Sequence, residues 1–123
     1  MKAERISVGV VGAGYIANFA HLPALSQLRE ANLVAICDQN VTKAQMVAER
    51  FGIPRVYSNL EEMLSNEHLD LVDICFPPHE HKDALAKTLE HRINCLVEKP
   101  LTVTTADADA LISLAQKNEV SVY

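Results

Sequence analysis

The stretch Ile6-Ser7-Val8-Gly9-Val10-Val11-Gly12-Ala13-Gly14-Tyr15-Ile16-Ala17 carries the strongest architectural signal in this chain. Its first half, Ile6 to Val11, is an apolar run of strand length and reads as a strand buried on both faces. Two glycines then punctuate a tight turn. From Tyr15 to Leu28 the pattern changes to helical spacing, with Ile16, Phe19, Ala20, Leu22 and Leu25 in step. Pro23 lies inside that segment, so a kink or break is expected near His21-Leu22.

The same alternation continues outward. Leu33 to Cys37 reads as a second strand, ending at Asp38, and Val41 to Phe51 as a helix stopped by Gly52. Arg55 to Tyr57 is a short third strand, and Asn59 caps a helix from Leu60 to Ser65. Leu71 to Cys75 is a fourth strand, halted by Pro77-Pro78, and Glu80 to Glu90 a helix. Asn94 to Val97 is a fifth strand. The helix Thr104 to Lys117 follows, with Ala108, Leu111, Ile112 and Ala115 on one stripe, and Val120 to Tyr123 starts a sixth strand. Strands and helices alternating at this spacing make βαβ units. The expected class is α/β: a doubly wound, mostly parallel Rossmann sheet of about six strands in a three-layer αβα sandwich. Residues 1–123 form one domain. Sheets of this kind usually serve a second domain, and one is expected beyond the strand signal on which the chain ends.

The 123 residues suffice for a hydrophobic core, which Val, Ile, Leu and Ala must fill because Trp is absent. The net charge of -5, with no basic run, argues against nucleic acid and membrane surfaces as partners. The start Met1-Lys2-Ala3-Glu4-Arg5 leads into a run too short for a signal peptide or a bilayer span, so a cytoplasmic location is expected. Cys37, Cys75 and Cys95 lie far apart among aliphatic residues and read as reduced, buried small hydrophobes. His79 and His81 could suggest a metal site, but no third ligand is placed by the sequence, so no metal is expected. His21, His68 and His91 read as solvated or packed against loops.

Gly12-x-Gly14-x-x-Ala17 between strand and helix fits a phosphate-binding turn. Gly12 permits the tight turn, Gly14 lets the backbone approach a pyrophosphate, and Ala17 allows close helix–strand packing. The helix N-terminus, with Tyr15 and Ile16 in its first turn, offers N–H groups and partial positive charge. Such a turn is also compatible with plain structure. Asp38, however, stands at the tip of the second strand, about 20 residues on, where a carboxylate meets the adenosine ribose of a dinucleotide. It could also cap the helix from Val41. Asp38 would repel a 2′-phosphate and no Arg follows it, so NAD is expected over NADP. At the end of the fifth strand, Glu98-Lys99-Pro100 places a lysine at the carboxyl edge of the sheet. There it could hydrogen-bond or protonate a substrate oxygen while Glu98 holds it in place. An exposed ion pair before a loop proline is the plainer alternative.

Together, Gly12-Ala13-Gly14-Tyr15-Ile16-Ala17, His21-Leu22-Pro23-Ala24-Leu25, Asp38, Pro77 followed by His81, and Glu98-Lys99-Pro100-Leu101 give the chain a family resemblance. From Ile6 to Tyr123 it resembles the N-terminal domain of the glucose-fructose oxidoreductase, inositol dehydrogenase and rhizopine catabolism (Gfo/Idh/MocA) family. Glu98-Lys99-Pro100-Leu101 is the most specific marker. The resemblance implies that Lys99 sits beside nicotinamide and substrate as the catalytic or substrate-orienting residue, and Glu98 near the nicotinamide ribose. Phe76-Pro77-Pro78 would form the loop along the cofactor, and His81 would start the next helix close to it. The implied activity is hydride transfer between NAD and a sugar, polyol or related small molecule. The catalytic Asp and His would come from a second domain that also carries the dimer contact, so the parent protein is expected to be a homo-oligomer. The family often has Thr-Pro-Asn where this chain has Phe76-Pro77-Pro78, and a glycine where it has Arg92. Arg92 or Asn94 must then close the preceding helix without glycine's freedom. Two other readings stand beside this one: a cofactor-keeping sensor or regulatory partner that has lost the reaction, and a different Rossmann enzyme such as a methyltransferase.

Overall fold

In the computed structural model, which describes residues 4–123, five parallel strands stand in the order β3-β2-β1-β4-β5. They are β1 (Ile6–Val11), β2 (Ala31–Cys37), β3 (Arg55–Tyr57), β4 (Leu71–Ile74) and β5 (Asn94–Val97). Met1, Lys2 and Ala3, counted in the expected domain, lie outside the described residues. The helices are α1 (Leu22–Gln27), α2 (Val41–Phe51), α3 (Leu60–Asn66), α4 (Pro78–Glu90) and α5 (Thr105–Lys117). The chain winds outward from β1 in both directions, so the switch in strand order falls between β1 and β4. Ligands of such sheets bind in the crevice at that point, outside the carboxyl ends of the strands.

Two apolar layers hold the sheet. On one side Val8, Val10 and Ile36 pack with Ala17 from the turn ahead of α1, Leu22 of α1, and Ala44, Val47 and Ala48 of α2. On the other, Val11, Val72, Ile74 and Cys95 pack with Met63, Leu64, Leu85, Leu89, Leu111 and Ala115 from α3, α4 and α5. Covering both faces explains why the strands are written as apolar runs rather than alternating ones. Leu22, Leu85 and Leu89 are fully buried, and each such side chain contributes about 1.5–3 kcal/mol over its exposed state.

The sheet has five strands rather than about six. The expected sixth, Val120 to Tyr123, makes only one parallel bridge, Val122 to Cys95, supported by Tyr123 N–H donating to the Cys95 carbonyl at 2.8 Å. Glu119 stands in the left-handed region (φ 57°) just before this pairing, and the Cys95 and Val97 N–H groups donate to the Ser121 and Tyr123 carbonyls at 2.9 and 3.0 Å. The break expected before Pro23 takes the form of a widened π-helical turn over Ala17–His21, in which the Leu22 N–H reaches back to the Ala17 carbonyl. Pro23 has no N–H with which to continue the ordinary ladder.

Asn59 caps α3 as expected, accepting from the Glu62 N–H, while Thr104, read from the sequence as the first helical residue, instead caps α5 and accepts from the Asp107 N–H. Asn40, not Asp38, caps α2, accepting from the Lys43 N–H at 3.1 Å. Pro78 is the first residue of α4 and so belongs to the helix rather than to the loop. Proline suits that place because its fixed φ is helical and no N–H is needed there.

Arg92 closes α4 in the left-handed region (φ 59°), with the Ile93 N–H donating to the Thr88 carbonyl. A side chain there costs about 1–2 kcal/mol. Unfolded glycine loses about 0.5–1 kcal/mol more entropy on folding. Arg92→Gly is therefore expected to raise stability by up to about 1 kcal/mol. The urea midpoint of the natural protein and the variant checks this, and a lower midpoint for the glycine variant contradicts it.

Candidate functional site

One residue past the ends of the neighbouring strands β2, β1, β4 and β5, Asp38, Gly12, Cys75 and Glu98 stand side by side. The ladder carries them into place: Gly12 N–H donates to the Cys37 carbonyl at 2.8 Å, Cys75 N–H to Val11 at 2.7 Å, and Glu98 N–H to Ile74 at 3.1 Å. They open onto a cleft of about 420 Å³, lined also by Gly14, Tyr15, Ile16, Lys43, Phe76, Pro77, Pro78 and Lys99. A second depression of about 400 Å³, bounded by Ser58, Asn59, His79 and Lys87, adjoins it through Gln39, Phe76 and Glu80. The crevice is therefore long, which suits an extended two-part molecule better than a compact one.

The glycine turn is shaped for close approach. Gly12 has φ +103°, and a Cβ there would stand 3.0 Å from the Cys75 backbone. A Cβ on Gly14 would meet only Lys43 Nζ at 3.8 Å, so its outer face is open. The N–H groups of Gly14, Tyr15 and Ile16 open the helix and have no acceptor within it. Asp38 braces this turn: Oδ2 accepts from the Ala13 N–H and Oδ1 from the Asn40 N–H, both at 2.8 Å. These donors, the open glycine face and a carboxylate at the neighbouring strand tip fit a dinucleotide. Lys43, a first-turn residue of α2, adds a cation at the mouth that the sequence reading did not single out.

Lys99 is exposed on the cleft wall, at a cis Lys99–Pro100 bond. The loop after it is tied to the loop after β4 by His81. This ring is fully buried, with Nδ1 at 2.7 Å from the Pro100 carbonyl and Nε2 at 2.7 Å from the Phe76 carbonyl. His81, expected to touch the cofactor, thus lies behind the wall and joins two segments that form it. Ten other expected positions do line the cleft: Gly12, Gly14, Tyr15, Ile16, Asp38, Phe76, Pro77, Pro78, Glu98 and Lys99.

Glu98 does not hold the Lys99 ammonium. Its Oε1 accepts from the Lys99 backbone N–H at 3.2 Å, and its Oε2 lies 2.7 Å from His21 Nε2. His21 Nδ1 lies 2.7 Å from Oδ2 of Asp73, a fully buried residue of β4. His21 is therefore neither solvated nor loop-packed, as expected from sequence, but bridges two carboxylates. Burial alone would lower its pKa, yet the hydrogen bonds to Glu98 and Asp73 outweigh that and leave it above the ordinary value. The bond from His21 holds Glu98 below the usual carboxylate range. Burial pushes Asp73 up, and its bond to His21 offsets only part of this.

His21, Asp73 and Cys75 are also a group with ligand-type atoms within 4.8 Å of one another. The Nδ1–Oδ2 separation is that of a hydrogen bond, and burial raises the Cys75 thiol well above its ordinary pKa. All three cysteines are free and buried, with Cys37 and Cys95 pushed up to about 12 by desolvation. Among the described residues no helix is long and apolar enough to cross a membrane.

Comparison with known proteins agrees with this geometry. Residues 6–123 match the Gfo/Idh/MocA pattern, described as an oxidoreductase family with an NAD-binding Rossmann fold. D-glucoside 3-dehydrogenase of Escherichia coli is 29% identical over 95% of this chain and 33% of its own. The structure of GenD2 from gentamicin A biosynthesis in complex with NAD superposes with a TM-score of 0.92 at 29% identity, covering 98% of this chain and 34% of that one. KijD10, a 3-ketoreductase from Actinomadura kijaniata in complex with TDP-benzene and NADP, gives 0.90 at 29% identity over 95% and 37%. The chain spans about a third of the length of the curated relatives it matches. The match excludes the methyltransferase reading, and these oxidoreductase names give the sensor reading no support. A glycine turn, a strand-tip carboxylate and a Glu-Lys-Pro edge on one crevice, with the family pattern running through all three, place this chain in the Gfo/Idh/MocA oxidoreductase family as its NAD-binding Rossmann domain.

Proposed function

We propose that this chain binds NAD along the crevice and forms the cofactor half of a dehydrogenase acting on a sugar, polyol or related small molecule. The observation that supports this most directly is the row of Asp38, Gly12, Cys75 and Glu98-Lys99 along a single wall at the strand-order switch. The N–H groups of Gly14, Tyr15 and Ile16 would hold the pyrophosphate, with Lys43 adding positive charge. Asp38 would accept from the adenosine ribose hydroxyls, and Phe76, Pro77 and Pro78 would flank the cofactor. Glu98 would accept from the second ribose. The nicotinamide, when bound, supplies the hydride chemistry. Lys99 would orient the substrate oxygen and carry its proton. Residues 1–123 would be one domain of a longer chain, whose remainder completes the substrate pocket and the homo-oligomer contact.

NAD is favoured over NADP because Asp38 would meet a 2′-phosphate as a like charge. Fluorescence titration of the natural protein with NADH and NADPH tests this. The expected result is an NADH Kd at least about tenfold lower, a difference of about 1.4 kcal/mol. Tighter NADPH binding overturns the preference, and no binding of either overturns the functional reading.

A further inference from the structure

Asp73 is the only fully buried acidic residue among the described residues. A carboxylate in the middle layer of a sheet is costly unless paired. Its partners are His21 Nδ1 at 2.7 Å and, at 3.6 Å, the Cys75 thiol. Well-packed apolar residues would serve stability as well or better, so stability alone does not account for the arrangement. What it achieves geometrically is to aim His21. The π-helical turn that ends at His21 inserts an extra residue into the first helix. Such insertions are frequent at functional sites. The ring's other nitrogen, Nε2, is then presented to Glu98, whose side chain remains 28% exposed on the cleft.

We propose that His21 is a positioning residue: anchored on Asp73, it fixes the Glu98 carboxylate on the cleft wall, ready for a ribose hydroxyl of a bound dinucleotide. The inference rests on the functional reading above. Left to itself, a partly exposed glutamate at a strand end samples several rotamers and pays entropy when it orders. Held by His21, it is ordered before the ligand arrives. An ionised carboxylate only accepts, so each ring nitrogen must bring a hydrogen, and the ring works as an imidazolium with both N–H groups donated. The groups facing the ring are Asp73 from β4, Cys75 just past the end of that strand, and Glu98 just past the end of β5, with Lys99 beside Glu98. His21 titrates above its ordinary 6.5, so its contribution is complete below 6.5 and fades as pH rises through the raised value. Glu98 titrates below its ordinary 4.5, so its part is lost only as pH falls through that lowered value.

The test is a double-mutant cycle on the natural protein, read as the NADH Kd at pH 7 by fluorescence titration. His21→Ala and Glu98→Ala are each expected to weaken NADH about tenfold. His21→Ala should change the Kd less than twofold when Glu98 is already alanine, because it acts through that residue. Multiplying losses, or a His21→Ala protein that binds normally, overturns the proposal. His21→Ala leaves Asp73 buried and unpaired, so the same cycle is run on Asp73→Asn, whose amide needs no counter-charge; the coupling should persist there. Histidine 15N NMR separates this proposal from the functional reading. The His21 ring, assigned by the loss of its signals in His21→Gln, should titrate above the ordinary 6.5 whether or not NADH binds. A ring that titrates at or below 6.5 overturns the clamp even if dinucleotide binding is normal.

Discussion

Lys99→Ala in the natural protein is expected to lower kcat by about 10²–10⁴-fold, the usual range for losing a positioned proton-transfer group, while dinucleotide binding survives. In barrier terms that is about 2.7–5.4 kcal/mol. The two halves of the expectation come from different elements of the crevice wall. The donors proposed for the pyrophosphate are backbone groups at Gly14, Tyr15 and Ile16, on the turn that Asp38 braces. Lys99 lies past the end of β5, on the wall where Glu98 and His21 meet. Removing its side chain leaves the turn untouched, so the Kd for NADH should move by less than about threefold, under 1 kcal/mol. The turnover substrate is found first, by following nicotinamide absorbance across sugars and polyols. Lys99→Arg should not restore the rate, because a planar guanidinium that stays protonated cannot replace a compact, rotatable ammonium in proton transfer. Full turnover in Lys99→Ala would remove the residue from the mechanism.

The same lysine shows where sequence reasoning stops. Glu98-Lys99-Pro100 is legible because it follows an apolar strand, and the carboxyl ends of such strands face the crevice. Which way the two side chains turn is not legible. Their adjacency suggests an ion pair with each other, but Glu98 instead meets His21, 77 positions away in the chain. The strands and helices were readable because both faces of the sheet are covered and the caps Asn59 and Thr104 have local signatures. Asp73 did carry a signal: one charged residue inside Leu71-Val72-Asp73-Ile74. A buried strand tolerates such a residue only with a partner, and the sequence does not say which element delivers it. The partner comes from the π-helical turn, whose extra residue goes with the missing N–H of Pro23 in the helix that continues from it. His81 shows the reverse error. Proximity to the cofactor loop was legible, but its ring turns inward to two backbone carbonyls.

The last expectation separates the two glycines of the turn. Gly12→Ala puts a Cβ 3.0 Å from the carbonyl carbon and oxygen of Cys75, at φ +103°. Backbone cannot rotate away as a flexible side chain can, and the left-handed conformation alone costs an alanine about 1–2 kcal/mol. The turn must open, which pulls the Ala13 N–H from Asp38 and moves the N–H groups that follow. Both stability and NADH binding should therefore fall together: a melting temperature lower by several degrees and a Kd raised at least about tenfold. Gly14→Ala should behave differently. Its φ is ordinary and the new Cβ would touch only Lys43 Nζ at 3.8 Å, so the fold has no reason to respond. The methyl group would nevertheless occupy the open face where the pyrophosphate is proposed to lie. The expected outcome is an unchanged melting temperature without ligand and a similar loss of NADH affinity. If Gly14→Ala binds NADH as the natural protein does, the phosphates do not pass over this turn, whatever else occupies the crevice.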